Sequence, residues 1–453
     1  MGPQANLTAK EVDTLSRAFA LWLAERTQHS ALRVAVGMDA RLSGPALKEA
    51  CITALADCGL FVLDCGMAST PAMFMTTVSD QTHCDGAVML TASHLPSDRN
   101  GMKFFTCQGG LESGEITALL RLSEGDLPRG RAGQVQTFDF ISIYAEGLRQ
   151  KIQQETGQTQ PLKGLKILVD AGNGAGGFYA EKVLQPLGAD IQGSQFLEPD
   201  GHFPHHIPNP ENAEAMQSLV DAVIRHNADF GLIFDTDVDR VGAVDKGGVV
   251  LNKNRLIAVI SAVLLRETPG AAIVTDSITS TGLAEFIKAH GGIHRRFKRG
   301  YKNVINEAIR LNHAGQYTPL AIETSGHAAL KENYFLDDGA YLATRLVIEV
   351  ARLHQKGLCI ADLLADLSEP AESCEFRLAI RTDAFRDFGQ SLIQALFAYA
   401  DTQPSFQLAP ENHEGIRVQF SPEEGDGWFL LRLFLHEPLI AINIESERAG
   451  GVH

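Results

Sequence analysis

The chain has 453 residues, 45% of them hydrophobic and 21% charged, which is enough for about three or four domains with packed cores. A formal net charge of −16 and a pI near 5.4 argue against nucleic acid or an anionic membrane as partner, and leave an anionic small molecule possible where basic side chains gather. No apolar run is long enough to cross a bilayer, MGPQANLTAK lacks the regions of a secretory signal, and seven cysteines without a CxxC pair fit reduced thiols in a cytoplasmic protein.

In chain order, 33-RVAVGMDARLSG-44 predicts a strand, a turn and the start of a helix. The helix continues through 47-LKEACITALADCGL-60, with Cys51 and Cys58 on its packing face, and a strand follows at 60–66. Thr70-Pro71 opens another helix, and the apolar run GAVML at 86–90 reads as a buried strand that ends in Thr91-Ala92-Ser93-His94-Leu95-Pro96. Alternating β and α of this kind points to layered α/β architecture. The Gly, Arg and Gln-rich stretch 124–137 and the polar segment 151–161 read as a linker region. The pattern restarts at 165-LKILVDAGNGAGG-177, reaches a strand in 230-FGLIFDTDVDR-240, and restarts again near Leu251 with strands at 271–276 and 319–327 and a helix at 338–357. From about residue 370 alternating strands such as 415-GIRVQF-420 suggest a smaller α+β domain.

Asp235, Asp237 and Asp239 alternate directly after the strand FGLIF. In extended backbone they would face one point, where like charges repel unless a cation lies among them. Oxygen ligands without Cys or His suit Mg²⁺ or Ca²⁺; a solvated acidic turn is the alternative. An EF-hand loop is excluded, because Arg240 and Lys246 stand where it needs glycine and glutamate. Gly172 to Gly177 fits GxGxxG and invites a nicotinamide-binding reading, but Asp190 comes too early to be the acidic partner of that motif, and tight strand-to-helix packing is the preferred reading of the glycines. In 294-HRRFKRGYK-302, Arg295 and Arg296 are expected on a solvated face, whereas Gly300 and Lys302 suit a loop that approaches an anion. Glu323, Ser325 and His327 follow the strand PLAI and offer hydroxyl-binding groups.

These pieces together resemble the α-D-phosphohexomutase family, the phosphomannomutase/phosphoglucomutase group. Thr91 to Pro96 resembles its phosphoserine loop TASHNP, Asp235 to Arg240 its metal loop DGDxDR, and Glu323 to His327 its sugar loop GExSGH. Val36 to Arg41 and 199-PDGHFPHHIPNPE-211 resemble further family elements, and all run in family order over nearly the whole chain. The resemblance implies three related α/β domains with mixed sheets and a C-terminal α+β domain around a central cleft, divided here at 1–150, 151–250, 251–368 and 369–453. It implies an enzyme that interconverts hexose 1-phosphate and hexose 6-phosphate, of glucose or mannose, through a phosphoserine and a hexose 1,6-bisphosphate. Ser93 would carry the phosphoryl group, and Asp235, Asp237, Asp239 and the phosphoserine would hold Mg²⁺. Arg41, Lys103 and His327 match family positions implicated in proton transfer and charge stabilisation, and Arg240 would steady the transferring group. Glu323, Ser325, Gly300, Lys302, Arg432 and His436 would contact the sugar phosphate. His94 is not expected to act as a triad partner, since neighbours in extended backbone diverge.

The sequence departs from the family at its C-terminal phosphate loop, RPSGTEP, which here reads Arg432-Leu433-Phe434-Leu435-His436-Glu437-Pro438. Two hydroxyl donors and a glycine are gone, so the hold on the non-reacting phosphate should differ, and a sugar-phosphate sensor without turnover is the alternative on the same fold.

Overall fold

The computed structural model describes residues 7–452, apart from 28, 30, 252, 411, 435 and 436. The chain divides into two compact units: Met1–Asn252 with Ser325–Ala329 and Leu336–Asp362, and Lys253–Thr324 with Leu330–Phe335 and Leu363–His453. Among the described residues no helix is long and apolar enough to cross a membrane.

The first unit opens with a helix, Ala9–Arg26, whose Thr8 and Glu11 form a capping box. Its Phe19, Trp22 and Leu23 pack with Val34, Leu55 and Val88 in the core of a mixed sheet. That sheet comprises β1 (Arg33–Met38), β2 (Phe61–Met67), β3 (Gly86–Leu90), β4 (Met102–Thr106), β5 (Gly109–Gly110) and β6 (Gln134–Thr137), in the order β5-β4-β3-β1-β2-β6. The four strands β3, β1, β2 and β6 run parallel, and β4 and β5 turn back antiparallel. Helix Gly44–Asp57 follows β1 as expected, with Cys51 buried on it and Cys58 just after its end.

The linker reading fits 124–133, which form no helix or strand, and fails for 134–137 and 151–156. Gln134–Thr137 is an edge strand whose backbone pairs with Phe61–Asp64 while its side chains stay exposed, so polar residues suffice there. Phe140–Thr156 is a single helix, capped by Asp139 and ended by Gly157 at φ 67°, and it runs through residue 150, where the sequence suggested a boundary. Its buried stripe is Phe140, Tyr144, Ala145, Leu148 and Ile152; the polar remainder of its surface hid the period.

A second sheet in this unit holds β7 (Ile167–Asp170), β8 (Phe230–Phe234), β9 (Val241–Asp245) and β10 (Val249–Val250), with β7 and β8 parallel and the rest antiparallel. Helix Ala213–Arg225 lays Leu219 and Val223 against Leu168, Ile233 and Val244. Helix Gly339–His354 is buried along most of its length and is tied to the helix Phe140–Thr156: the Tyr144 hydroxyl donates to Asp338 at 2.6 Å and Arg352 donates to Glu155 at 2.7 Å. The glycines after β7 serve close packing, as one of the two sequence readings had it. A Cβ at Gly174 would stand 2.7 Å from the Thr236 carbonyl, so only glycine lets this turn lie against the Asp-rich loop.

In the second unit β11 (Ala272–Thr275) lies between parallel β12 (Ile293–Arg296) and β13 (Leu320–Ile322). Two short strands follow in the chain, β14 (Ala328–Leu330) and β15 (Leu336–Asp337), of which Ala328, Ala329, Leu336 and Asp337 belong to the first unit. Arg295 and Arg296 belong to β12 rather than to a solvated face. They are half-buried because Glu307 and the Thr279 and Ser280 carbonyls bind their guanidiniums. The C-terminal sheet is antiparallel, β16 (Glu372–Ala379), β17 (Phe406–Leu408), β18 (Ile416–Phe420), β19 (Gly427–Leu433) and β20 (Leu439–Ser446), ordered β16-β20-β19-β18-β17. Helix Phe385–Asp401 buries Ile393 and Ala400 with Ile416, Val418 and Ile440, the α+β pattern expected from the alternating strands.

A buried ion pair supports the end of β7. His206 Nε2 is 3.0 Å from both oxygens of Asp170, and its Nδ1 is 3.1 Å from the Ile207 carbonyl. With acceptors on both sides, both ring nitrogens must donate, so the imidazole is charged. Burial opposes that charge, but the Asp170 hydrogen bond and charge outweigh it and raise the His206 pKa above its ordinary 6.5. A raised folded pKa stabilises fully below the unfolded value and the contribution is lost as pH climbs through the folded value. His206→Gln should therefore cost about 3 kcal/mol at mildly acidic pH, and the gap between wild-type and variant melting curves should narrow as pH rises. A gap independent of pH would mean that the ring is neutral.

Candidate active site

The three aspartates converge, by a different route from the one their spacing suggested. Beyond β8 the backbone turns rather than staying extended: the Val238 N–H donates to the Asp235 carbonyl at 3.3 Å, and Val238 takes φ 67°. Asp235, Asp237 and Asp239 nonetheless bring one carboxylate oxygen each within 4.8 Å of the others. All three are buried. Asp237 Oδ1 and Asp239 Oδ1 are buried without a hydrogen-bond partner, a donor set of hard oxygens that fits a divalent cation.

Positive groups surround them. Lys103 Nζ donates to Asp237 at 2.8 Å and to Asp239 at 2.7 Å. Arg240 Nε donates to Asp235 at 3.2 Å, and its Nη1 lies 3.3 Å from Asn209 Oδ1 and 3.5 Å from Glu211. The Thr70 hydroxyl donates to Asp237 Oδ2 at 2.5 Å. Burial, with Asp239 and Asp237 alongside, pushes the Asp235 carboxyl well above its ordinary range. Burial would raise Asp239 too, but Lys103, His327 and Arg240 outweigh it and hold that carboxyl low. Lys103 is raised despite burial, because Asp237 and Asp239 face it.

Ser93 sits where β3 gives way to its loop, at φ 50°, a left-handed conformation that costs a serine about 1–3 kcal/mol. Its N–H donates to Thr91 Oγ1 at 2.9 Å, and the Thr91 hydroxyl donates to buried Asp39 at 2.7 Å, so the turn is fixed from beneath. The outcome is a Ser93 hydroxyl that donates to Asp235 Oδ2 at 3.1 Å. The divergence expected between Ser93 and His94 does not occur, because it assumed an extended serine; His94 Nδ1 stands 3.4 Å from Ser93 Oγ. Burial and the nearby Arg240 lower the His94 pKa.

Arg41 is bound into the serine loop. Its Nε donates to Asp39 at 3.1 Å, Nη1 to the carbonyls of Pro96 and Arg99 at 2.6 and 2.9 Å, and Nη2 to those of Ser93 and Leu95. A guanidinium has five N–H groups, and all five are used. Arg41 clamps the serine loop and has nothing left to offer a substrate. Burial also pushes the Asp39 carboxyl up to about 6.

His327, on the segment Ser325–Ala329, places Nδ1 3.0 Å from the Ser325 hydroxyl and Nε2 3.4 Å from Asp337 and 3.7 Å from Asp239. Burial lowers its pKa to about 3, and Arg240 and Lys103 add to that. A half-buried serine hydroxyl, three buried carboxylates, a lysine, an arginine and a neutral imidazole thus share one corner of the first unit, an arrangement suited to phosphoryl chemistry.

Models of the phosphoglucomutase/phosphomannomutase α/β/α domains I, II and III match residues 2–121, 142–248 and 252–370. The chain belongs to the phosphoglucomutase/phosphomannomutase family. A phosphoglucomutase of Neisseria gonorrhoeae is 31% identical over 442 residues, covering 97% of this chain and 89% of that protein. A phosphomannomutase/phosphoglucomutase of Pseudomonas putida is 33% identical over 418 residues, covering 92% and 84%. Among solved structures, a phosphoglucomutase/phosphomannomutase family protein of Burkholderia thailandensis superposes with a TM-score of 0.81 at 28% identity, covering 99% and 92% of the two chains.

Of the site residues read from the sequence, this family member gathers Ser93, Lys103, Arg240, the three aspartates, Ser325 and His327 in the first unit. Thr70, Asn209, Glu211 and Asp337 were missed; Asn209 and Glu211 lay inside the quoted segment 199–211, and Thr70 is an ordinary helix-start residue with no signal of its own. In the second unit Gly300, at φ 114°, gives its N–H to Glu323 at 2.6 Å, and Lys302 lies in the first turn of helix Tyr301–His313. Arg432 is buried at the end of β19, 3.9 Å from Glu414, with Nε unpartnered. Glu414 accepts from the Ser277 hydroxyl at 2.7 Å and from the Arg299 N–H at 2.9 Å. His436 lies outside the described residues.

The Arg41 clamp is testable. Arg41→Lys keeps the charge but offers three donors on a single atom, too few to span four carbonyls. Amide hydrogen exchange at Ser93 to Arg99 should speed at least tenfold in the variant. Unchanged protection there would show that the loop holds itself.

Proposed function

We propose that this protein is a phosphohexomutase that interconverts hexose 1-phosphate and hexose 6-phosphate, of glucose or mannose, through phosphorylated Ser93 and a hexose 1,6-bisphosphate. The observation that carries the reading is the Ser93 hydroxyl turned onto Asp235 among three buried carboxylates, in a chain of this family. Asp235, Asp237 and Asp239, with the phosphorylated serine, would hold Mg²⁺; the orphaned oxygens of Asp237 and Asp239 fit such an ion. When bound it supplies positive charge at the phosphoryl oxygens.

In the forward half-reaction the bond between Ser93 Oγ and phosphorus breaks as a sugar hydroxyl bonds to phosphorus. The sugar hydroxyl gives up its proton through a base, for which His327 is the candidate, and Ser93 Oγ takes up one proton in exchange, so the half-reaction is proton-neutral. Lys103 and Arg240 stabilise the spreading negative charge, and Arg41 positions the loop. The bisphosphate then turns, and its other phosphate returns to Ser93 by the reverse steps. Glu323 and Ser325 would bind sugar hydroxyls, while Gly300, Lys302, Arg432 and His436 would hold the phosphate that is not reacting. We place the reaction in the cytoplasm, acting on free sugar phosphates, and retain four functional domains, the first boundary moved off the helix Phe140–Thr156.

A coupled assay with glucose or mannose 1-phosphate and a trace of the 1,6-bisphosphate should show isomerisation. Ser93→Ala should abolish it while leaving sugar-phosphate binding intact; full activity in that variant would sink the phosphoserine mechanism. Binding without isomerisation by the wild type would favour the sensor reading instead.

The metal has its own check. EDTA should stop turnover and Mg²⁺ restore it, whereas Asp237→Ala should respond to neither, since one ligand fewer leaves too few fixed oxygens to order the ion. Full turnover in EDTA would refute the metal assignment.

A further inference from the structure

The second unit contains buried arginines with too few anions. Arg432 and Arg417 are 5% and 3% exposed, and Arg432 Nε and Arg417 Nη2 are buried without hydrogen-bond partners. Arg417 is served by the face of Trp428, 3.5 Å from its guanidinium carbon, and by the Ser277 carbonyl at 2.8 Å. Arg432 lies over the Phe434 ring, 4.8 Å from its centroid, but among the described residues Glu414 is the one carboxylate within 4.0 Å, at 3.9 Å, too far for a hydrogen bond. Glu375 spends its oxygens on Arg377 and Asn443; Asp276 Oδ2 accepts from Thr324, and its buried Oδ1 has no partner but is not within ion-pair distance of Arg432.

Glu414 is held from the other side. One oxygen, Oε2, takes both the Ser277 hydroxyl and the Arg299 N–H, while Oε1 faces Arg432. Its neighbour Gly415, at φ 62°, lies so close to the Leu431 carbonyl that a Cβ would stand 2.0 Å from it, which fixes the backbone from which Glu414 reaches in. The side chain keeps 19% of its surface open to water, so it has somewhere to go. A hydroxyl, a backbone N–H and a guanidinium around one anionic group is the donor set a phosphate monoester takes. Three phosphate oxygens could use all of them, Arg432 Nε included, where a carboxylate with two oxygens leaves that N–H empty.

We propose that Glu414 is a resident anion in the phosphate site at Arg432: it occupies the donors of Ser277 and Arg299 in the free protein, and must be displaced when the non-reacting phosphate of a sugar phosphate arrives. The assignment of Arg432 to that phosphate rests on the function proposed above. Glu414 thereby lowers affinity for the phosphate, and Ser277 supplies one of the hydroxyls that Phe434 and Leu435 cannot.

The test is calorimetric titration of the full-length protein with inorganic phosphate and with glucose 6-phosphate, for wild type, Glu414→Gln, Glu414→Ala and Glu414→Gln combined with Arg432→Ala. Both single variants should bind inorganic phosphate about tenfold more tightly, the scale of one charge-assisted hydrogen bond gained, and the gain should disappear in the combined variant. Glu414→Gln preserves size and keeps one acceptor oxygen without the charge, so it decides the matter if Glu414→Ala fails to fold. Unchanged or weaker phosphate binding in Glu414→Gln would overturn the proposal and make Glu414 a support for Arg432. A gain that survives loss of Arg432 would overturn it as well. The phosphate titration reads out whether or not isomerisation is observed, so failure of the mutase reading and failure of this one are separable.

Discussion

Three carboxylates within 4.8 Å of one another and out of water are the constraint around which the first unit is built. Left alone they would repel, and each would raise the pKa of the next. The protein meets this with Lys103 across two of them and Arg240 along the third, and still leaves two oxygens orphaned. Such groups are expensive in an interior unless something binds them. The surrounding rigidity follows from that expense. The glycine turn behind Thr236, the Thr70 contact, and helix Gly339–His354, whose first residue admits no Cβ against the Arg240 backbone, all hold the loop where relaxation would otherwise spread the charges.

The second unit carries the opposite deficit. There, among the described residues, the orphaned groups include N–H donors on buried Arg432 and Arg417, and burial pushes the pKa of both down rather than up. Each unit on its own therefore contains a polar site that is incomplete in the bare polypeptide, one short of positive charge and one short of negative charge.

The chemistry was legible in the sequence wherever it sits on short runs after apolar strands. GAVML before Ser93 and FGLIF before Asp235 mark buried strands, and residues at their ends were bound to be presented together. What failed were inferences about local conformation. Extended backbone was assumed for Asp235 to Asp239 and for Ser93-His94, and in both places one residue with positive φ bends the chain. Side-chain partners over long separations were equally hidden. Arg41 reads as a cation near a phosphate loop, and only the folded chain reveals that carbonyls more than fifty residues away use up its donors. The first helix was overlooked although Thr8 and Glu11 announce its start, and the edge strand Gln134–Thr137 was unreadable because an edge needs no apolar face.

The discontinuity of the first unit has a consequence for biosynthesis. Its second sheet is complete once Val250 has been made, but Ser325–Ala329 and Leu336–Asp362 belong to the same unit and come later. His327, which bridges to Arg240, and the helix that covers its backbone are among them. At a synthesis rate of about 5–20 residues per second, the Asp-rich loop waits roughly 5 to 20 seconds on the ribosome with its carboxylates uncovered. During that interval Lys103 and Arg240, both already synthesised, are the cations at hand to balance them, so the loop's charge is compensated before its cover arrives.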